Sequence, residues 1–136
     1  MSTTAKPART VIEDYVAALA AGDIDAVRAS FAEDASWTLH GSLPLSGTWR
    51  GRDTIIDDFL SGALAYYEPG SIEFDVTSLI ADGDVVAMEW TTRSRTRDGK
   101  PYVNGCIGVF EVRDGAIATV REYMDTDYAL RTAFSA

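Results

Sequence analysis

The fold class of this chain follows from one segment, DGDVVAMEWTTRSRTRDGKPYVNGCIGVFEVRDG, which spans residues 82–115. It contains three Asp-Gly pairs, at positions 82–83, 98–99 and 114–115. Asp-Gly is among the strongest short-range hairpin signals, because a type I′ turn needs positive φ at both central residues. Three such turns join four strands, which we expect at about 71–81, 84–97, 100–113 and 116–125. The second half of the chain is therefore predicted to be an antiparallel meander.

The first half of the chain has helical signals. Thr10 and Glu13 have the spacing of a capping box and open a first helix, which Gly22 ends in the position of a left-handed C-cap. Asp23 can then cap a second, shorter helix that runs out near residues 32–34.

A short strand and a third helix complete this half. ASWTLH, residues 35–40, is typical of a short strand, and GSLPLSGTWRG, residues 41–51, is a loop marked by Gly and Pro. A third helix is expected from about Arg52 to Tyr66. Three helices followed by a long sheet give an α+β architecture.

The length of the predicted strands implies a cavity. Two of them are more than twice as long as the usual strand of about five or six residues, so the sheet must coil strongly to stay compact. A coiled sheet has a concave side. Helices that cover only part of that side leave a cavity in which a small ligand can be buried.

Composition limits the classes of function. A chain of 136 residues is expected to form one domain, 1–136, with a core that needs no disulfide. Its single cysteine, Cys106, suits a reducing cytosol. The net charge of −9 opposes binding to nucleic acid or anionic lipid. The sequence has neither the apolar region of a signal peptide nor an apolar segment long enough to span a membrane, so we expect a cytoplasmic protein.

No cofactor or metal is indicated. His40 is the only histidine, and no motif supports a metal site or a Ser-His-Asp triad built on it. Glycine-rich phosphate loops are absent as well.

Three runs of the sequence carry a family resemblance: DYVAALAAGDIDAVRASFAEDASW, GTWRGRDTIIDDF and GVFEVRDGAIATVREYMD. They resemble the SnoaL-like and ketosteroid-isomerase-like proteins of the nuclear transport factor 2 superfamily, to which limonene-epoxide hydrolase is related. The resemblance implies a single SnoaL-like domain with an ordered core over about 8–126. It also implies a cone-shaped barrel of strongly curved antiparallel sheet, covered by three N-terminal helices, in the cystatin-like or nuclear transport factor 2-like fold. That fold hosts isomerases, aldol cyclases, hydrolases, dehydratases and non-catalytic binders, so it predicts a pocket without choosing a reaction.

Site residues of the relatives fall on identifiable positions of this sequence. Tyr15 matches the oxyanion-hole tyrosine of ketosteroid isomerases, whereas Leu39 and Gly108 stand where those enzymes carry their general base and second donor. The Asp-Arg-Asp triad of limonene-epoxide hydrolase falls on Thr91, Glu89 and Glu122, with the arginine at Glu89. Of the triad's two acids, one is matched by an acid here, Glu122.

The last predicted strand supplies the main catalytic candidate. Alternation places Ala118, Val120, Glu122 and Met124 on one face, and the resemblance turns that face toward the cavity. Between Val120 and Met124, desolvation is expected to raise the pKa of Glu122 and to make it a proton shuttle near neutral pH. A structural role for Glu122 is the alternative.

A second carboxylate is expected to face the same cavity. Glu89, Thr91 and Arg93 share one face of their strand, and Met88, Trp90 and Thr92 share the other. If Glu89 points inward, repulsion between the two carboxylates raises the pKa of one of them. Alternatively, Glu89 pairs with Arg93, Arg121 or Arg52 and has no chemical role.

The remaining candidates lie on two further strands. Asn104, Cys106, Gly108 and Phe110 share a face. The Asn104 amide can orient a water or a substrate carbonyl, or simply satisfy a strand end. Cys106 is more typical of a small core residue than of a nucleophile, and Gly108 leaves space in the pocket floor. Trp37 and Leu39, on the short strand, are expected to wall the cavity.

Two residues keep open roles. His40 follows the short strand and is expected at the pocket mouth or on the surface. If alternation persists, Asp125 lies on the opposite face of the strand from Glu122. Strand ends often bulge, however, so Asp125 is a second candidate acid.

Two functions from different classes remain. The first is a cofactor-independent enzyme that isomerises, cyclises by aldol chemistry or adds water to a small apolar molecule, with Glu122 as acid or base and Tyr15 and Asn104 as donors. The second is a non-catalytic ligand-binding or dimerisation module. The family resemblance implies a homodimer, and the long exposed sheet face also favours one, because it is easily buried against a second copy.

Overall fold

The computed structural model describes residues 6–134 of the chain. In these residues the strands form one six-stranded sheet in the order β2-β1-β6-β5-β4-β3. The strands are β1 (Phe31–Leu39), β2 (Gly47–Arg50), β3 (Glu73–Asp82), β4 (Val85–Arg95), β5 (Pro101–Arg113) and β6 (Ala116–Met124). The predicted α+β class and the four-stranded meander are confirmed. The sheet curves without closing, since β2 and β3 are its edges, and β1 pairs with β6 in parallel rather than antiparallel.

Helices occupy three parts of the chain. The first part contains two helices, α1 (Ala8–Ala21) and α2 (Ile24–Ala29). Next come α3 (Arg52–Thr54), the π-helical π1 (Ile55–Leu60) and α4 (Ser61–Leu64), which run without a break and are together called the third helix. After β6 follow α5 (Thr126–Ala129) and the π-helical π2 (Leu130–Phe134), together called the C-terminal helix. The C-terminal helix was not predicted.

The ends of the first two helices test the predicted caps. α1 begins at Ala8 after Pro7 and has no side-chain cap, so the predicted capping box of Thr10 and Glu13 is wrong. Gly22 adopts φ 67° and ends the helix as predicted. Asp23 caps α2 as predicted, because its Oδ1 accepts a hydrogen bond from Ala26 N at 3.1 Å.

The second helix is shorter than predicted because the sheet takes over its last residues. Phe31 pairs with Ile117, and Ile117 N donates to the Ser30 carbonyl at 2.8 Å. Phe31 is completely buried at this point. Pairing with β6 therefore turns residues 31–34 into strand, and the short strand predicted at 35–40 begins earlier.

The three Asp-Gly pairs form three different turns. Asp114 and Gly115 have φ 52° and 77° and form the predicted two-residue turn with positive φ at both positions. In the first hairpin Asp82 pairs with Val85, so the turn residues are Gly83 and Asp84, one position later than predicted. In the second hairpin Thr96 N bonds Lys100 O around a three-residue loop, with Gly99 at φ 85°.

The core lies between the concave side of the sheet and the helices. α1 packs across β3, β4, β5 and β6 with Val11, Ile12 and Tyr15 buried. Ala129 and Phe134 of the C-terminal helix belong to the same core, so the ordered core extends past the predicted end near residue 126. No helix within the described residues is both long enough and apolar enough to cross a membrane.

Candidate functional site

A cavity of about 350 Å³ lies between the concave side of the sheet and the helices. Residues from α1, α2, the third helix, β1, β3 to β6 and the C-terminal helix line it. Its wall is rich in aromatic side chains: Tyr15, Trp37, Phe59, Tyr67, Phe74, Trp90, Tyr102, Phe110 and Phe134. A cavity of this size with an apolar wall and few polar groups has the character of a small-molecule site.

The mouth of the cavity is also apolar. Ile24, Leu64 and Phe74 line it and yet are 52%, 45% and 40% exposed, so they stand where the cavity meets solvent. An apolar mouth allows an apolar ligand to enter without losing contact with apolar surface.

Glu122 is the only charged residue that lines the cavity, within the part of the chain that the structure describes. It lies on β6, where Leu39 of β1 and Gly108 of β5 are its neighbours in the sheet. It is 8% exposed, and its Oε1 accepts one hydrogen bond, from Trp37 Nε1 at 3.1 Å. No residue between 6 and 134 forms an ion pair with it.

Burial raises the pKa of Glu122 to about 7, although the hydrogen bond from Trp37 acts in the opposite direction. Burial disfavours the charged carboxylate because the protein interior solvates it less well than water does. At neutral pH the carboxylic acid and the carboxylate are therefore both populated. Such a group can donate or accept a proton without an external acid or base.

Tyr15 is the second polar group of the site. It lies on α1, lines the cavity and packs against Phe31 and Phe110, with ring centroids at 5.5 and 5.9 Å. Its hydroxyl has no hydrogen-bond partner among residues 6–134, and it is not enclosed on all sides by protein. Burial, followed by the charge of Glu122, raises the pKa of Tyr15, so this hydroxyl stays protonated and available as a donor.

The structure places most of the expected substrate contacts on the wall. Five of the eight line the cavity, namely Trp37, Leu39, Cys106, Phe110 and Met124. Val120 is buried on the same face but does not line it. The part these residues play in binding stays a prediction.

Gly108 does not leave empty space in the pocket floor. A Cβ at this position would lie 2.8 Å from Phe110 Cε1 and 3.2 Å from Trp90 Cζ3. The space beside Gly108 is thus occupied by two aromatic rings, and the expectation of an open floor is wrong. A side chain at position 108 would have to displace the Phe110 ring.

Asn104 is buried and faces inward, but it does not line the cavity. Its Nδ2 donates to Tyr102 Oη at 3.0 Å and to the Asp125 carbonyl at 3.1 Å. Both amide hydrogens are used within the protein, which corresponds to the alternative of a satisfied strand end. Its effect on the cavity is to hold Tyr102, whose ring lines the wall.

The prediction that Glu89 and Thr91 face the cavity is wrong. In β4 the buried residues are Val86, Met88, Trp90 and Thr92, and Glu89 is exposed on the opposite face. The sheet register pairs Glu89 with Ser78 and Ile107, on the side away from the helices. Burial of large apolar side chains decided the face, so Trp90 and Thr92 line the cavity instead.

His40 and Asp125 lie outside the cavity. The His40 ring stacks on Tyr123 at a centroid distance of 4.3 Å on the exposed side of the sheet. Asp125 caps α5, since its Oδ1 accepts from Tyr128 N at 3.0 Å. Neither residue can act on a ligand held beside Glu122.

Cys106 lines the cavity but is a poor nucleophile. Burial, followed by the charge of Glu122, raises the pKa of its thiol to about 12. Its Sγ lies 3.8 Å from Thr92 Oγ1 and from the Asn104 carbonyl. The thiolate is therefore scarce at neutral pH, in agreement with its expected role as a small core residue.

Several residues of the wall were missed by sequence reasoning. Ile56 and Phe59 come from the third helix, whose helical spacing was recognised without assigning it to the cavity. In β4, large apolar side chains at every second residue, Val86, Met88 and Trp90, were a readable signal for the inner face, since Glu89 lies between the last two. Phe134 could have been found from Asp125, whose N-cap position marks the start of the C-terminal helix.

A metal centre finds no support among the described residues. No group of three or more His, Cys, Asp or Glu side chains in residues 6–134 is placed to hold a metal ion.

Comparison with known proteins places this architecture in a family. The family model of the SnoaL-like domain matches residues 12–120. A search of curated proteins found no match.

Solved structures share the whole fold. An NTF2-like protein from Burkholderia thailandensis is 23% identical, with a TM-score of 0.84 over 93% of this chain and 96% of that chain. TerC, co-crystallised with polyporic acid, is 22% identical, with a TM-score of 0.79 over 90% of this chain and 94% of that chain. A hypothetical protein with a ketosteroid isomerase-like fold from Catenulispora acidiphila, in complex with trimethylamine, is 18% identical, with a TM-score of 0.75 over 90% and 91%. At these identities the likeness is one of fold.

Proposed function

The chain belongs to the SnoaL-like domain family, and we propose that it is a cofactor-independent enzyme in which Glu122 acts as general acid or base. Its substrate would be a small, mostly apolar molecule held in the cavity. The observation that carries the proposal is the state of Glu122. It is a buried carboxyl without an ion pair, and it faces a cavity large enough for a ligand.

The electrostatics of Glu122 support a chemical role over a structural one. A buried carboxylate that serves only the fold is normally paired with a cation or bonded by several donors. Glu122 has one donor, Trp37, and its pKa is raised to about 7. A catalytic acid or base works best when its pKa lies near the operating pH, so this environment suits proton transfer.

Tyr15 is proposed to bind the oxygen on which negative charge develops. Its hydroxyl is protonated at neutral pH and has no partner among the described residues, so it is free to donate to a substrate oxygen. A donor held in place by packing against two rings needs little reorganisation during the reaction, which makes it effective at stabilising charge.

The proposed reactions are those that a single acid/base and one donor can serve. In an isomerisation, Glu122 takes a proton from carbon and returns it to another carbon, while Tyr15 stabilises the intermediate oxyanion. Aldol cyclisation and addition of water use the same two roles. The neighbours with polyporic acid and trimethylamine support a small-molecule ligand. A reducing cytosol is the proposed location, as the single free cysteine permits.

The test is a screen of small apolar carbonyl and epoxide compounds for binding and turnover. Wild type is compared with Glu122→Gln and with the matched control Glu89→Gln, which changes an exposed glutamate on the outer face. We expect turnover in wild type and in Glu89→Gln, and a loss of at least about a hundredfold in Glu122→Gln. Binding without turnover in all three proteins would establish a ligand-binding module instead.

We also propose a homodimer through the outer face of the sheet. Ile80 and Val103 on that face are 65% and 48% exposed, and Tyr123 beside them is 41% exposed. A second copy can bury these side chains by a two-fold contact. Light scattering should give twice the chain mass for wild type and the monomer mass for Val103→Asp. Leu130→Asp, at an exposed leucine outside the sheet, should remain dimeric.

A further inference from the structure

We propose that the cavity selects ligands with a protonated amine, whose ammonium group lies beside Glu122 while the apolar remainder fills the aromatic part of the cavity. This inference rests on the proposed function, since it assigns the substrate class of the same site.

The charge balance of the cavity is the first argument. Glu122 carries the only formal charge on the wall in residues 6–134, and it has no ion pair there. An ammonium group beside it completes an ion pair, and the attraction between the two charges in this poorly solvated site offsets the cost of removing the ammonium from water, because Glu122 is already buried without a cation. A carboxylate ligand would place two negative charges together and find no cation on the wall.

The aromatic wall is the second argument. Tyr15, Tyr67 and Trp37 line the same cavity as Glu122, and Trp37 is hydrogen-bonded to it directly. Cations bind favourably to the faces of Trp and Tyr rings, more so when water is excluded. A cavity that combines one carboxylate with such rings should therefore bind an ammonium group more tightly than a neutral hydroxyl.

The charges around the mouth of the cavity also favour a cationic ligand. Asp23 and Asp25 flank Ile24, and Glu73 and Asp75 flank Phe74, all of them exposed. Of the cations nearby in the chain and sheet, Arg28 is already paired with Asp53 and Asp57, and Arg93 lies opposite Glu73. With a net charge of −9, the protein attracts cationic ligands and repels anionic ones.

The ionisation of Glu122 should also determine how amine binding depends on pH. The other titratable groups that line the cavity are Tyr15 from α1, Tyr67 from beyond the third helix, and Tyr102 and Cys106 from β5. Burial raises the pKa of each of these four groups above its ordinary value, which already lies above neutrality. Between about pH 6 and pH 8, changes in amine affinity therefore follow the ionisation of Glu122.

The test uses three compounds of nearly equal shape: 4-phenylbutylamine, 4-phenylbutan-1-ol and 4-phenylbutanoate. Their dissociation constants are measured by calorimetry at pH 6 and pH 8 for wild type, Glu122→Gln and Glu89→Gln. In wild type and Glu89→Gln we expect the amine to bind at least about tenfold more tightly than the alcohol at pH 8. Because Glu122 must be ionised, amine binding should weaken about tenfold at pH 6. Glu122→Gln should abolish both effects.

The outcomes separate this inference from the proposed function. Equal affinity for amine and alcohol in wild type at pH 8, or an amine preference that survives in Glu122→Gln, overturns the inference. If Glu122→Gln at the same time abolishes turnover of a neutral compound, the proposed acid/base role is supported although the preference for amines is not. The opposite result is an amine preference that is lost in Glu122→Gln while this variant turns over its substrate as well as wild type does. That result supports the inference and overturns the acid/base role.

Discussion

Glu122 lowers the stability of the fold that holds it. Its pKa is about 7 in the folded protein and near 4.5 in the unfolded chain, so the folded state binds more protons between those values. The free energy of unfolding therefore decreases as pH rises from about 5 to 7, and the full cost is present above pH 7. A residue kept at such a cost is typical of a functional site.

Glu122→Gln should consequently stabilise the protein, and more so at high pH. Glutamine keeps an acceptor for Trp37 Nε1 and removes the buried charge. We expect the gain in free energy of unfolding to be about 2 kcal/mol larger at pH 8.5 than at pH 5.5. Urea unfolding at the two pH values measures it. Glu89→Gln is the control, because it changes an exposed glutamate on the outer face of the sheet.

Trp37 holds the pKa of Glu122 lower than burial alone would set it. Trp37→Phe removes the hydrogen bond from Nε1 and should raise the pKa of Glu122 above 7. NMR titration of the Glu122 carboxyl carbon measures this pKa directly. Trp49→Phe is the matched control. Trp49, like Trp37, packs on Phe59 with ring centroids 5.4 Å apart, but it donates its hydrogen bond to the Leu45 carbonyl. An unchanged pKa in Trp37→Phe would show that this bond does not influence the carboxyl.

At the scale of elements, one glycine positions the aromatic wall. Gly108 lies opposite Glu122 in the sheet, and the Phe110 and Trp90 rings lie against it. The φ of Gly108 is not positive, so any cost of a side chain here comes from packing and not from the backbone. Gly105 lies on the same strand and is exposed, and a Cβ added to it would have no atom within 4 Å.

This pair of glycines gives a matched prediction. Gly108→Ala should lower the free energy of unfolding by about 1–3 kcal/mol, because its Cβ would displace the Phe110 ring. Gly105→Ala should raise it by about 0.5–1 kcal/mol, because alanine loses less conformational entropy than glycine. Chemical unfolding of both variants measures the difference. Equal effects would mean that Gly108 does not control the position of the rings.

Sequence predicted the elements whose signals are local. The β3–β6 meander was located to within about two residues because its turns contain glycines where positive φ is needed. The face of β4 was predicted wrongly because Glu89 was aligned with a catalytic residue of relatives, while Met88 and Trp90 carried the stronger burial signal. Alternation along β6 put Glu122 on the face of Val120 and Met124, and the family resemblance turned that face inward, where the structure has Glu122.

Contacts between distant parts of the chain were beyond such reasoning. The bond between Trp37 and Glu122 joins residues 85 positions apart through the parallel pairing of β1 with β6. Helical spacing can predict that Tyr15 is buried. The side chains that Tyr15 contacts, however, depend on how α1 crosses the sheet. The cavity is thus a product of the whole molecule rather than of one motif.

At the scale of the whole molecule, the C-terminal helix closes part of the cavity. Phe134 is 8% exposed, lines the cavity and packs on Tyr66 at 4.4 Å and on Tyr67 at 6.3 Å. The helix is fixed at its start, since Asp125 caps it and Val103 N donates to Tyr128 Oη at 3.1 Å. A short terminal segment thus completes the wall around the ligand.

Phe134→Ala should therefore change both stability and ligand size. We expect the free energy of unfolding to decrease by about 2–4 kcal/mol, since a large buried ring is replaced by a methyl group. The cavity should widen at this end, so ligands longer by a ring should gain affinity over short ones, as calorimetry can show. Leu130→Ala, in the same helix but 39% exposed, should change the free energy by less than about 0.5 kcal/mol. If Phe134→Ala is as stable as Leu130→Ala and binds the same ligands equally well, the C-terminal helix is not part of the cavity wall in solution.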